Sequence, residues 1–549
     1  MASASDSSSA TPARSRLAAV IGPALWMATV GNVALWQQLW ALPEVSRWRG
    51  VAFALGFAVL IAAGLVMLIA ALGWGRLLRP LISVLLVATA VGAHYMLAYN
   101  VVIDPTMMVN VLQTDPREVR DLLSWRLAAA FGLIALPPLW WLWRRPLARL
   151  RVWRQLGVHA ALFVGAAVLA SGALMAIFQD FSSVMRNHTQ LRYLINPLNS
   201  VWALVDTVAT PFKRDTRRIE PLGRDAQLAP RAPSAKPPLL VLVLGETARA
   251  ENFSINGYAR PTTPQLARED VVSQRNAWSC GTSTAASVPC MFSPLPRDEF
   301  EKRPYNTETL IDVLQHAGLA VLWLNNQSGC KGVCDRAPTV NTQSLQDPAL
   351  CSGGECLDEI MLKGLDARIA ALDAQRRARG VVLVLHQMGS HGPAYFKRSP
   401  PAFKRFAPEC TTNALQECTR EQVLNAYDNS LVYTDHFLAR TIAWLKSQEA
   451  AWDPALIYVS DHGESLGENN LYLHGLPYGV APDVQKHVPW ITWLSPGFAR
   501  DRGVSTACLK SRQDQRISHD DYFHSVLGLL GVQTSVYRPA LDIYRPCGG

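Results

Sequence analysis

Five long apolar runs, near residues 17–42, 51–74, 80–100, 125–143 and 156–178, constrain this chain more than any other feature. Each is long enough to cross a hydrocarbon core, which takes about 20 residues of helix. One such run at an N-terminus could be a signal peptide, but five in series cannot all be one. Backbone polar groups in lipid must be bonded within their own segment, so these runs predict a five-helix transmembrane bundle. The arginines orient it. Arg76 and Arg79 lie between the second and third runs, and Arg144, Arg145, Arg149, Arg151 and Arg154 between the fourth and fifth. Those loops, and the polar, Ser-rich and disordered tail ending in Arg14 and Arg16, are therefore expected on the cytoplasmic side. An odd number of spans delivers everything after about residue 180 to the other side.

The cysteines point the same way. All ten lie beyond residue 279, clustered in close pairs, which suits disulfides in an oxidising compartment. Short loops cost little to close, so spacing predicts 280–290, 330–334, 351–356 and 410–418, leaving 508 with 547. A zinc ribbon is disfavoured because no Cys-x-x-Cys occurs. The net charge of +9 does not call for a nucleic acid, since many arginines flank membrane segments. The expected organisation is a tail and transmembrane domain over 1–180, an interfacial helix (181–205) and Pro/Arg-rich linker to 238, and a soluble domain over 239–549.

From Leu239 short apolar strands alternate with helical stretches. Strands are predicted at Leu239–Leu244, Leu319–Leu324, Val381–Leu385 and Ala455–Val459, with helices near 307–317, 357–378, 420–447 and 520–530. This alternation predicts a mainly parallel sheet covered on both faces, whose active site lies beyond the carboxyl ends of the strands. Gly245-Glu246-Thr247 follows the first strand. His386-Gln-Met-Gly-Ser-His391-Gly-Pro393 follows the third, and Ser460-Asp461-His462-Gly-Glu464 the fourth, with His474 a little further on. Singly each is as well read as a cap or surface group. Together, at three strand ends, they point to a site.

The stretch Ser279–Ser293, bounded by Cys280 and Cys290, crowds hydroxyls into a short turn with no acid, base or imidazole of its own. Alone it reads as a stapled polar loop. A hydroxyl is a weak nucleophile until a base or metal activates it, and Glu246, Asp461 and His462 are residue types that hold Zn²⁺ while leaving a position open. Residue types do not choose among Thr282, Ser283, Thr284 and Ser287. In the loop between the third and fourth runs, Asn110, Thr114 and Glu118 would share one face of a helix. The same loop, through Asp115-Pro116-Arg117-Glu118, also fits a helix cap.

The set Gly245-Glu-Thr-Ala-Arg249, Cys280-Gly-Thr-Ser-Thr-Ala-Ala-Ser-Val-Pro-Cys290, Asn326-Gln-Ser-Gly-Cys-Lys-Gly-Val-Cys-Asp335, Ser390-His-Gly-Pro393, Asn425-Ala-Tyr-Asp-Asn-Ser430 and Ser460-Asp-His-Gly-Glu464 resembles the lipid A phosphoethanolamine transferases. That family includes the mobile colistin-resistance enzymes and belongs to the alkaline phosphatase superfamily. The resemblance implies Thr284 as the nucleophile, Glu246, Asp461 and His462 joining it around zinc, and His391 and His474 in head-group handling or proton transfer. It implies phosphate contacts from Ser328 and Lys331, and substrate contacts from Asn110, Thr114 and Glu118. Its further implications are a phosphatidylethanolamine donor, a lipid A acceptor and a monomer in the bacterial inner membrane with a periplasmic catalytic domain. Rivals are transfer to a Kdo or heptose of the core, phosphoglycerol transfer, sulfate-ester hydrolysis, or a catalytically silent lipid-binding sensor. The turn lacks the Cys-x-Pro-x-Arg nucleophile motif that a sulfatase wants, and retention of the whole Glu/Thr/Asp/His set argues against a silent protein.

Overall fold

The computed structural model describes residues 14–42, 45, 48–113, 119–120, 122–213, 215–232 and 235–548. The Ser-rich tail before Arg14, together with Thr114, Glu118 and the Asp115–Glu118 capping motif, lies outside the described residues. The chain forms two compact units, one holding the residues up to Met108 and Leu123–Asp206, the other Val109–Leu122 and Thr207–Gly549.

In the first unit, among the described residues, five helices are long and apolar enough to cross a membrane: Arg16–Trp40, Gly50–Leu72, Leu78–Tyr99, Trp125–Trp143 and Val152–Asn187. They fall on the five predicted runs. The last spans 36 residues and absorbs the start of the predicted interfacial helix. The rest of 181–205 is a 3₁₀ segment, Thr189–Leu194, followed by helix Leu198–Lys213. The break has a local cause, because the residue before a proline is disfavoured in helical geometry and Asn196 precedes Pro197. The buried Asn196 side-chain amide donates to Thr89 O (2.7 Å) and its backbone N–H donates to Asn32 Oδ1 (2.8 Å), so the backbone N–H at the break is satisfied inside the bundle.

In the second unit the predicted linker is partly stitched into the fold. Asp215–Glu220 pairs in parallel with Tyr305–Thr307, and Gln227–Leu228 pairs antiparallel with Val532–Gln533. The centre is an eight-stranded sheet of β1 (Pro238–Gly245), β2 (Val271–Trp278), β3 (Ala320–Asn325), β4 (Thr339–Asn341), β5 (Val381–His386), β6 (Asp453–Ser460), β7 (His487–Leu494) and β8 (Ile517–Ser518) in the order β8-β2-β7-β6-β1-β5-β3-β4. From β6 to β4 all neighbours run parallel, and β7 is antiparallel to both β6 and β2. Every residue of β1, β3, β5 and β6 is buried, as expected for parallel strands covered on both faces. Leu240, Leu242 and Leu244 pack in a core with helices Leu310–His316 and Tyr522–Leu530. The intervening Leu239, Val241 and Val243 are buried as well, and the 28-residue helix Arg420–Ser447 packs against β6. Its start is a capping box of Thr419 and Gln422.

Three of the predicted helices form within a few residues of expectation. The fourth, over 357–378, is instead a 3₁₀ turn (Asp358–Leu362) and two short helices, Leu365–Ala370 and Ala374–Arg379. Gly364 adopts φ 70° between the first two, and Asp373 caps the third by accepting from Arg376 N. Strand β2 escapes prediction because polar residues interrupt it, reading Val-Val-Ser-Gln-Arg-Asn-Ala-Trp, and β7 because Pro489 sits inside its apolar run and argues against a central strand.

Candidate active site

Strand register assembles the centre. Ser460 of β6 pairs with Gly245 of β1, and Asp461 N donates to Gly245 O at 3.0 Å. The next residues on each strand, Glu246 and Asp461–His462, therefore emerge side by side at the carboxyl ends. Their ligand atoms lie within 4.8 Å of one another, and all three residues are fully buried. His462 Nε2 stands 3.4 Å from both Glu246 Oε1 and Asp461 Oδ2. Among the described residues, neither Asp461 Oδ2 nor His462 Nε2 has a hydrogen-bond partner, which a protein seldom tolerates in its interior.

The electrostatics ask for a cation. Burial pushes Asp461 up to about 8, with the Glu246 charge adding to it. Burial opposes charge on His462 as well, yet Asp461 and Glu246 overcome it and raise the ring to about 10. Burial works against Glu246 too, but the facing His462, His391 and His474 hold it well below the usual carboxylate range. Two carboxylates and an imidazole with unanswered buried donor atoms fit Zn²⁺.

The hydroxyl turn discriminates where residue types could not. Thr282 Oγ1 donates to Leu476 O (2.6 Å), and Ser287 Oγ accepts from Gly281 N (2.9 Å). Ser283 precedes the helix Thr284–Met291, with its hydroxyl buried. Of the four, Thr284 Oγ1 reaches the cluster, donating to Glu246 at 3.1 Å (Oε2) and 3.3 Å (Oε1). Thr284 opens that eight-residue helix, whose positive end favours negative charge. The Cys280–Cys290 disulfide closes the turn. The other four cysteine pairs are also those that spacing predicts, and no described cysteine is free.

Two histidines stand beside the cluster. The His474 ring lies 4.2 Å from that of His462 and 5.8 Å from that of His391, centroid to centroid. The His474 segment is tied to the turn by Gly475 N donating to Thr282 O at 2.8 Å. The loop carrying His391 is pressed against Glu246. Ser390 N donates to Glu246 O (3.1 Å), and a Cβ on Gly389, which has φ 52°, would fall 2.6 Å from that oxygen. Only glycine fits there. Lys331 Nζ lies 3.3 Å from Ser328 Oγ, on a loop that continues from Gln327. Asn110 sits on helix Pro105–Gln113.

Several residues of the centre carried no role in the sequence. Thr247 is a buried β-branched residue at φ 61°, a strained conformation of the kind that clusters at functional sites. Its hydroxyl donates to Glu246 Oε1 (2.8 Å) and its N–H to Asp461 Oδ1 (3.2 Å). Gln327 Nε2 donates to Glu246 Oε2 at 2.9 Å. Glu464, buried and pushed by that burial up to about 8, faces His474 Nδ1 at 3.3 Å. Asp358 accepts from the N–H groups of Met388 (2.8 Å) and Gly389 (3.0 Å), anchoring the His391 loop. Such partners orient ligands and bases. Thr247 and Gln327 each adjoin a residue that the motifs had already marked, which was the available signal.

This mainly parallel sheet, with carboxylates and imidazoles gathered at its strand ends, is of the sulfatase class: the sulfatase family model matches residues 238–532. The model for phosphoethanolamine transferase EptA/EptB matches residues 61–212. Phosphoethanolamine transferase EptA of Escherichia coli K12 is 38% identical over 553 residues, 98% of each chain. Phosphatidylethanolamine transferase Mcr-1 of Escherichia coli is 37% identical, covering 89% of this chain and 91% of that one. The full-length integral membrane lipooligosaccharide phosphoethanolamine transferase A (EptA) from Neisseria meningitidis superposes with a TM-score of 0.91 at 33% identity, over 97% and 98% of the two chains. The chain belongs to the phosphoethanolamine transferase family.

Proposed function

We propose that this enzyme moves phosphoethanolamine from phosphatidylethanolamine to a phosphate of lipid A in two displacements, from the periplasmic face of the bacterial inner membrane. The observation that carries the mechanism is the Thr284 hydroxyl, 3.1 Å from Glu246 and beside Asp461 and His462. The Mcr-1 relative, a phosphatidylethanolamine transferase, supports the donor, and the Neisseria relative, a lipooligosaccharide phosphoethanolamine transferase, supports a lipooligosaccharide-type acceptor.

Zn²⁺ held by Glu246, Asp461 and His462 would supply Lewis acidity for the phosphoryl oxygens and lower the pKa of the neighbouring hydroxyl. Thr284 Oγ loses its proton to solvent and attacks the phosphorus of the donor as the alkoxide, forming the Oγ–P bond. The bond from phosphorus to the glyceride oxygen breaks, and His474 or His391 protonates that oxygen so that diacylglycerol leaves. A lipid A phosphate oxygen then attacks the same phosphorus. The Thr284–P bond breaks, Thr284 takes a proton back from solvent, and the proton of the attacking lipid A phosphate restores the histidine that protonated diacylglycerol. Glu464 and Asp358 hold the two histidines in place, while Ser328 and Lys331 receive phosphoryl oxygens. Asn110, Thr114 and Glu118 contact the donor from the membrane-side loop. The added amine offsets negative charge on the outer surface and weakens its attraction for cationic peptides such as polymyxin.

Mass spectrometry of lipid A from cells with and without the protein tests this reading. A phosphoethanolamine increment on a lipid A phosphate is expected. An increment confined to Kdo or heptose, or none, would contradict it.

A further inference from the structure

At the amino ends of the parallel strands, opposite the ends that carry Glu246 and Asp461, lies a cavity of about 610 Å³ whose lining includes Gln227, Arg231, His316, Arg379 and Arg502. Arg379 stands two residues before β5 and His316 four before β3. Arg502 follows the helix Pro496–Asp501 that leaves β7, and β7 runs antiparallel to β6, so its carboxyl end lies beside the start of β6. The six residues of β5, at about 3.3 Å each, set this cavity about 20 Å from the metal-binding cluster.

Among the described residues three guanidiniums line the cavity and no carboxylate does. His316 is spent, with Nε2 2.9 Å from Glu308 Oε2. Arg231 is held in place by Nη1 donating to Arg379 O and Nη2 to Ala378 O, both at 3.0 Å, at the end of the helix Ala374–Arg379. Those acceptors are carbonyls, so its charge is not neutralised. Arg379 and Arg502 differ: among the described residues neither side chain makes a hydrogen bond or an ion pair. Each guanidinium lies against a left-handed glycine. A Cβ on Gly318 (φ 86°) would fall 2.7 Å from Arg379 Nη1, and one on Gly531 (φ 67°) 2.6 Å from Arg502 Nη1. Burial lowers the half-buried Arg502 guanidinium, and the Arg231 charge lowers it further, by more than either Asp501 or Asp453 offsets. Asp501 is met by Arg500 Nε at 3.4 Å, and Asp453 accepts from Lys236 N at 3.0 Å.

Like charges gathered in a cleft repel one another, and an oxyanion placed between them turns that repulsion into attraction. Guanidiniums present paired N–H donors that match phosphate oxygens two at a time. A cavity of this size holds more than a bare phosphate. Among the described residues Leu228 is the one large apolar side chain in its lining, so the group attached to the phosphate is polar. We infer that this cavity binds a phosphate monoester of a sugar, gripped by Arg379 and Arg502. A soluble sugar phosphate and the phosphorylated sugar of a glycolipid share that chemistry. The site lies apart from the transfer chemistry and does not depend on it.

The test follows hydrogen–deuterium exchange in the full-length protein in phosphatidylethanolamine nanodiscs. One arm adds glucose 1-phosphate, a second replaces part of the lipid with monophosphorylated lipid A, and glucose alone is the control. Exchange should slow in the peptides holding residues 226–231, 374–379 and 498–504 in at least one of the first two arms, and the arm that responds identifies the source as soluble ester or glycolipid. Reading these peptides separates the cavity from phosphate bound at the metal cluster. Arg379→Gln combined with Arg502→Gln should raise the apparent Kd read there about tenfold or more, the scale of losing charge-assisted hydrogen bonds. Arg379→Gln alone, at an exposed position, should raise it about threefold and covers the case in which the double variant fails to fold. Protection in neither arm, protection by glucose equal to that by glucose 1-phosphate, or unchanged affinity in the folded variants would overturn the assignment.

Discussion

His519 Nδ1 accepts the backbone N–H of Cys280 at 3.1 Å, and its Nε2 stands 3.0 Å from Ser460 O. One buried ring thereby joins the first residue of the nucleophile turn to the last residue of β6, next to Asp461. His519→Ala leaves two buried backbone groups unpaired, each costing about 1–3 kcal/mol. The thermal midpoint should fall by several degrees and kcat by more than tenfold. His519→Gln, which keeps one hydrogen-bonding arm, should recover part of both. Wild-type kcat in the alanine variant would show that the two loops hold their spacing without the ring.

The same ring gives the fold a pH dependence of known sign. Burial lowers His519 to about 3, against about 6.5 in an unfolded chain. The neutral ring's contribution is therefore fully present above pH ~6.5. It is lost as pH falls towards 3, at up to about 1.4 kcal/mol per unit, because the unfolded state takes the proton first. Chemical denaturation of the intact protein between pH 7.5 and 5 should show wild type losing about 1–2 kcal/mol more than His519→Gln. Parallel pH profiles would remove the assignment.

Thr247 sets stability against metal binding. Thr247→Gly relieves the φ of 61°, which costs a β-branched residue about 1–3 kcal/mol, but it removes the hydroxyl on Glu246. The variant should melt at or above the wild-type temperature while zinc affinity, measured by competition with a chelator, drops about 10–100-fold. Thr247→Ser should retain affinity. Unchanged affinity in the glycine variant would mean that Glu246 needs no such partner.

Much of this was legible in the residues, for physical reasons that can be named. The five helices announced themselves because lipid demands long uninterrupted apolar runs. The buried parallel strands did so because both their faces are apolar, and the cysteine pairs because their loops are short. β2 stayed hidden because polar residues break its run, and β7 because Pro489 sits inside it. The helix predicted over 357–378 failed at Gly364 and Asp373, where local backbone geometry overrides composition. Choosing Thr284 over Thr282 and Ser287 needed the hydrogen bonds that spend the other two on Leu476 and Gly281. The contact between His519 and Cys280 spans 239 residues, and no local pattern encodes it.

Topology has its own readout. With the arginine-rich loops on the cytoplasmic side, a reporter fused after Gly549 should be active only as a periplasmic form. Activity of a cytoplasmic reporter at that position would overturn the orientation.

The central claim is that Thr284 carries the phosphoethanolamine. Purified wild-type protein incubated with phosphatidylethanolamine and no acceptor should acquire a phosphoethanolamine adduct on the peptide containing Thr284, read by mass spectrometry. Thr284→Ala should show none, Thr284→Ser a slower adduct, and Glu246→Ala or a chelated wild type little or none. An adduct on Thr282, Ser283 or Ser287, or lipid A modification at the wild-type rate by Thr284→Ala, would contradict the account.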